Sequence, residues 1–94
     1  MKLRFARRAW DDLRDIADWI AQDSPRTAAR IVDRLVARTN LLIAHPEAGT
    51  LRPEFGQRIR CLSERPYLIL YRVDGSSVII ERIVHGARAP DGLV

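Results

Sequence analysis

His85 and Arg88 stand three positions apart just after the last apolar run of a 94-residue chain. An imidazole and a guanidinium so placed can move a proton near neutral pH and hold an anion. Arg58, Arg60, Arg72 and Arg82 lie on the preceding runs and are candidate neighbours. Metal-free RNA cleavage needs a base for the ribose 2′-hydroxyl, an acid for the leaving oxygen and cations for the developing phosphorane charge. On that reading His85 is acid or base, Arg60, Arg82 and Arg88 are clamps, and Glu47, Glu54 or Glu64 is an alternative base. If Arg60, Arg72, Arg82, His85 and Arg88 instead form a surface without proton transfer, they grip phosphate or carboxylate groups of a macromolecular target. In the plainer reading His85 hydrogen-bonds the chain terminus and the arginines are solvated strand ends. Strand register decides which of these holds.

Other chemistries lack their residues. His45 reads as a charge at a helix end, and the two histidines have no metal-like spacing. Cys61 is the lone cysteine, which gives neither an internal disulfide nor a thiolate metal site. There is no Gly-rich phosphate loop and no nucleophile elbow. No cofactor and no metal are expected.

The elements that must carry these groups follow from periodicity. Tyr67–Val73 and Val78–Val84 are strands joined by Asp74-Gly75-Ser76-Ser77, a tight-hairpin sequence. Arg58–Leu62 alternates and is predicted as the strand before them, with Arg58, Arg60 and Leu62 on one face. Val78, Ile80, Arg82 and Val84 are expected to share a face, as are Leu68, Leu70 and Arg72. Lys2–Phe5 reads as a short first strand. From Ala9, Trp10, Leu13, Ile16, Ala17 and Ile20 form one helical stripe, with Trp10 assigned to the core. Asp11, Asp12, Asp15 and Asp18 take the other faces, the first two near the positive helix end. This helix is expected to stop near Asp23. Ser24-Pro25 then caps and opens a second helix, and Pro46 and Gly49 end it ahead of a loop to about Gln57.

The order predicts an α+β fold: an N-terminal strand, an antiparallel helix hairpin, then a three-stranded antiparallel meander (β-α-α-β-β-β), in a single domain over residues 1–94. The hairpin covers one sheet face and leaves the other open.

Composition narrows the class. Hydrophobic residues at 47% and charged residues at 30% describe a globular chain, and no apolar stretch approaches the ~20 residues of a membrane span. Met1–Arg8 has no apolar core of a signal peptide, so a reducing cytoplasm is expected. Net charge is +4, with sixteen basic and twelve acidic residues, and Lys2 is the single lysine. A GC-rich genome also enriches arginine; the excess charge predicts an anionic partner. Arg26, Arg30, Arg34 and Arg38 recur every fourth residue on the second helix, either as a solvated face or as a stripe that docks an acidic partner. Trp19, half a turn away from Trp10 around its helix, is a candidate protein contact.

Taken together, the stretches Ala9–Ile20, Ser24-Pro25-Arg26-Thr27-Ala28-Ala29, His45-Pro46-Glu47-Ala48-Gly49, Tyr67–Arg72 and Ile83-Val84-His85-Gly86-Ala87-Arg88 resemble the RelE/ParE superfamily of bacterial type II toxins. The resemblance spans nearly the whole chain and implies a helical hairpin against a small antiparallel sheet. RelE-like members cut messenger RNA on the ribosome with sheet arginines and a C-terminal aromatic or His; ParE-like members poison DNA gyrase. Ser63 stands where the nuclease branch tends to place an Arg, and no Tyr follows Arg88. The His-Gly-Ala-Arg ending looks more like the ParE branch. The resemblance therefore implies a gyrase-inhibiting toxin rather than an enzyme, with the ribosome-dependent ribonuclease as the alternative. It also implies a cognate antitoxin, acidic and partly disordered when free, that forms a hetero-oligomer by engaging Trp19, Arg30, Arg34 and Arg38.

Overall fold

A computed structural model describes residues 1–89 and 92; the rest of the tail after Arg88 lies outside the described residues. The chain runs β1 (Lys2–Phe5), α1 (Arg7–Ala21), α2 (Pro25–Ala44), β2 (Thr50–Leu51), β3 (Arg60–Glu64), β4 (Tyr67–Asp74) and β5 (Ser77–His85). A 3₁₀ turn at Pro53–Phe55 and another at Gly86–Arg88 complete it. One sheet has the order β1-β5-β4-β3-β2, with β1 parallel to β5 and the other pairs antiparallel.

The two helices form where the period of three to four placed them. Ser24 Oγ accepts the Thr27 amide at 3.2 Å, and Pro25 occupies the first turn of α2, so both start signals are used. Gly75 takes φ +59° in the β4–β5 turn, which a Cβ would resist. Two features after α2 differ from the sequence reading. The loop after α2 contains an extra two-residue strand, β2. The strand expected at Arg58 begins at Arg60, because Arg58 sits at φ 62°, outside the extended region.

The helix-side core joins Ala9 and Leu13 of α1 and Leu35 and Leu42 of α2 to Leu62, Ile69, Tyr71, Val78, Ile80 and Ile83. The expectation of an open second sheet face is overturned. Phe55 and Ile59, from the segment between β2 and β3, cover Cys61 and Leu70 there, with Leu68, Val84 and Ala89 around them. Apolar residues alternate on both sides of β3 and β4, so both sides demand cover.

Trp10 corrects a second expectation. It is 51% exposed and stacks on Phe5, with ring centroids 4.5 Å apart. The sequence stripe is wide, and Trp10 falls on its flank rather than its centre.

Candidate functional site

β5 carries the decisive irregularity. Tyr71 pairs with Ile80 but Leu70 pairs with Arg82, so Glu81 is an extra residue in the ladder. A bulge of this kind changes which way the following side chains face. Val78 and Ile80 point to the helices, and beyond the bulge Ile83 does so while Val84 joins the opposite cluster. The period-two grouping of Val78, Ile80, Arg82 and Val84 therefore fails at the bulge.

Asp12 locks this point. Its carboxylate accepts from Arg82 Nε at 2.7 Å, from Arg82 Nη2 at 3.0 Å and from the Ile83 amide at 2.9 Å. The Asp12 and Arg82 side chains are only 13% and 16% exposed, and the hydrogen bond to Asp12 holds the Arg82 guanidinium more firmly protonated than usual. The sequence pattern puts Asp12 on a face away from the apolar stripe, near the helix start. In fact α1 begins two residues earlier than expected and Asp12 lies in its second turn. The missed signal was spacing: Asp12 falls three after Ala9 and four before Ile16, on the inward side. An inward carboxylate requires a partner.

Beyond the bulge, α1 and the end of β5 bound a cleft of about 410 Å³. Trp19, Tyr67, His85 and Arg88 line it, with Asp12 and Asp15 on the helix side. His85 pairs with Tyr67 across the sheet, and their rings meet edge to face at 5.8 Å. His85 Nδ1 accepts the Ala87 amide at 3.2 Å, capping the 3₁₀ turn that carries Arg88. The cleft thus offers one imidazole, one exposed guanidinium and two aromatic faces. Trp19 stands at its rim, 71% exposed.

The remaining sequence candidates lie elsewhere. Arg60 shares the helix side with buried Leu62 and donates from Nη1 to the Gly49 carbonyl at 2.8 Å. It pairs with Tyr71, whereas His85 pairs with Tyr67. Four residues along and two strands across put their Cα atoms roughly 16 Å apart. Arg72 lies 3.5 Å from Asp74 and 3.7 Å from Glu81. Arg58 is exposed in the loop before β3. So the structure brings together His85 and Arg88, places Arg82 against the same helix but bound to Asp12, and leaves Arg60 and Arg72 apart. Among the alternative bases, Glu54 bonds Arg52 at 2.6 Å, which holds its carboxyl below the usual range. Glu64 receives Arg34 at 3.0 Å and Arg38 at 3.5 Å, and Glu47 is exposed in the loop after α2.

The arginine row on α2 is thereby split. Arg34 and Arg38 converge on Glu64 at the end of β3, and Arg34 also donates to the Arg65 carbonyl at 3.1 Å. Arg30 bonds only Thr27, at 3.4 Å, among the described residues, and remains exposed with Arg26. His45 ends α2 as an exposed cap.

One further residue was not anticipated. Tyr71, buried in the centre of β4, donates from its hydroxyl to the Pro46 carbonyl at 2.7 Å and accepts the Gly49 amide at 2.8 Å. A Cβ on Gly49 would lie 2.6 Å from Tyr71 Cε1. This contact explains the His-Pro-Glu-Ala-Gly stretch: its glycine is where the loop touches the ring.

Comparison with known proteins agrees with this architecture. A family model for the ParE toxin of the type II toxin-antitoxin system, parDE, matches residues 3–90. Toxin RelE2 of Caulobacter vibrioides is 38% identical over 81 residues, which covers 86% of this chain and 90% of that protein. The chromosomal ParDE toxin–antitoxin system of P. aeruginosa contains a chain of TM-score 0.78 and 31% identity, covering 90% of this chain and 95% of that one. The RelBE2 toxin–antitoxin complex of Mycobacterium tuberculosis gives 0.61 and 27%, covering 89% and 95%. With the family model spanning the sheet, the hairpin and the cleft alike, the chain belongs to the ParE toxin family of type II toxin-antitoxin systems, within the RelE/ParE superfamily.

Proposed function

We propose that this toxin acts by gripping DNA gyrase in its cleaved-DNA state, without chemistry of its own, and is neutralised by a cognate antitoxin. The observation that carries the reading is the engagement of Arg82 by Asp12. A cleavage site needs its cations free to meet a phosphorane. Here Arg82 is committed to a carboxylate, and Arg60 is committed to a backbone carbonyl on the far side of β4. The cleft instead has the makeup of a protein-binding anchor: exposed Trp19 beside Tyr67, His85 and Arg88. The greater likeness to the ParDE chain than to the RelBE2 chain supports the same branch.

The antitoxin is assigned to the helix hairpin side, where Trp19, Arg30 and the outer faces of Arg34 and Arg38 stand. An acidic segment there would compete with Glu64 for the two arginines and order itself on binding.

A ribosome-dependent messenger RNA endoribonuclease is the second reading. His85 and Arg88 share one cleft, and the curated relative of 38% identity is named RelE2. The test pairs two assays on purified toxin. Inhibition of gyrase supercoiling with intact ribosomal mRNA is expected, and Trp19→Ala is expected to weaken it at least tenfold. Cleavage of ribosome-bound mRNA that disappears on His85→Ala or Arg88→Ala would reverse the choice.

A further inference from the structure

His85 closes β5 and caps the 3₁₀ turn Gly86–Arg88, its Nδ1 accepting the Ala87 amide at 3.2 Å. A ring nitrogen accepts only while it carries no proton, so this bond requires the neutral imidazole with its hydrogen on Nε2. An imidazolium presents a donor at both nitrogens and has nothing to offer the Ala87 amide. The cap therefore exists in one protonation state of a side chain type that changes charge between pH 5 and 8.

The two ends of this turn are held by other contacts. Gly86 donates to the Pro66 carbonyl at 2.8 Å, and a Cβ there would lie 3.3 Å from that oxygen. Ala89 packs on the Phe55 cluster. Between them, Ala87 is bonded through His85. Arg88 lines the cleft and is exposed, with no side-chain hydrogen bond or ion pair among the described residues. The direction of its guanidinium thus depends on the backbone that His85 caps. The charged groups around the imidazole oppose one another. Asp12 and Asp15 face the cleft from α1, but Asp12 is matched by Arg82. Asp15 attracts a charged imidazole and Arg88 repels it. On β4, Tyr67 meets the ring edge to face, and a phenol ionises well above this pH range. Glu64, in register beyond Tyr67, is taken by Arg34 and Arg38.

We infer that His85 is a positioning residue and a pH-sensitive catch: its neutral ring holds the Gly86–Arg88 turn so that Arg88 lines the cleft, and protonation releases it. The sign follows from the proton count. The capped turn binds one proton fewer than the released turn, so it is favoured at high pH and lost as pH falls through the imidazole range. One exposed hydrogen bond is at stake, which corresponds to a change of roughly 2- to 12-fold in the balance of capped and released turn. The inference adds regulation to the gripping cleft and, for activity, rests on that reading.

The test uses two replacements, the full chain and nuclear magnetic resonance. His85→Asn keeps an acceptor near the Nδ1 position, is a favoured cap and does not titrate; His85→Ala removes the acceptor. The Ala87 amide resonance of each protein is followed from pH 8 to pH 5. In the native chain it is expected to shift along a histidine titration. In His85→Asn it is expected to hold still across the range. In His85→Ala it is expected to be displaced throughout, with amide exchange at pH 8 roughly 2- to 12-fold faster than native. On gyrase, normalised to toxin-free enzyme at each pH, the native toxin is expected to need roughly 2- to 12-fold more protein for half inhibition at pH 5.5 than at pH 8. The profile of His85→Asn is expected to be flat. An Ala87 resonance that ignores pH in the native chain, or that still titrates in His85→Asn, would overturn the inference. So would cleavage of ribosome-bound mRNA that His85→Asn and His85→Ala both abolish, because His85 would then be transferring a proton. If gyrase is inhibited at neither pH, the gripping proposal falls while the Ala87 titration still decides this one.

Discussion

At the scale of single residues, Asp12 ties the start of α1 to the far end of the chain. It neutralises Arg82 and satisfies the Ile83 amide at the bulge. Asp12→Ala leaves a nearly buried guanidinium and an amide without partners, and is expected to cost about 2–4 kcal/mol in urea unfolding. The double replacement Asp12→Ala with Arg82→Met is expected to recover at least half of that loss, since no orphan charge remains. Tyr71 makes a pH prediction. Burial raises its phenol above the ordinary value near 10, so the folded state keeps a proton that the unfolded chain releases. That contribution is present below pH 10 and is lost as pH rises past it. Chemical denaturation at pH 9 and 11 is expected to show a larger drop for the native sequence than for Tyr71→Phe. Burial likewise raises the Cys61 thiol, so alkylation is expected to follow global unfolding, as timed labelling in urea would reveal.

At the scale of elements, the sequence signals were strongest where they were local. Ser24-Pro25 marks the start of α2 because the cap and the missing amide are properties of adjacent residues. Ser24→Ala is expected to lower stability by about 1 kcal/mol, while Ser24→Asp stays within a few tenths, measured by thermal unfolding. Helix stripes were legible because a period of 3.6 needs only one chain segment to be seen. The strands were legible as strands, but not their phase. The extra residue at Glu81 and the left-handed Arg58 each break alternation, and neither changes composition. Trp10 failed for a related reason: on a wide apolar stripe, only the neighbouring elements decide which position becomes the centre.

Across the whole molecule, the sheet is covered on both faces, by the helices on one and by the segment around Phe55 and Ile59 on the other. Both covers share β4, whose Ile69 and Tyr71 face one side and Leu70 the other. Leu42→Ala and Phe55→Ala are therefore both expected to cost about 2–5 kcal/mol, and to do so within a single transition. Circular dichroism and tryptophan fluorescence should coincide through urea unfolding for each variant; separated curves for Phe55→Ala would mean that the outer cover melts alone. The same arrangement sorts the arginines. Arg34, Arg38, Arg60 and Arg82 meet acids or carbonyls between elements, and Arg26, Arg58 and Arg88 remain exposed.

The chain order by itself determined both helices, four of the five strands, the α+β class, the capped second helix and the family, since periodicity, turn residues and motif order are written along one dimension. It also placed His85 and Arg88 close together, because three residues cannot carry them far apart. Only the tertiary structure decided that Arg82 belongs to Asp12, seventy residues earlier, that Arg60 stays on the other side of β4, and that the sheet's second face is closed. Those outcomes depend on register across strands and on the reach of side chains between elements, and a single bulged residue is enough to change them.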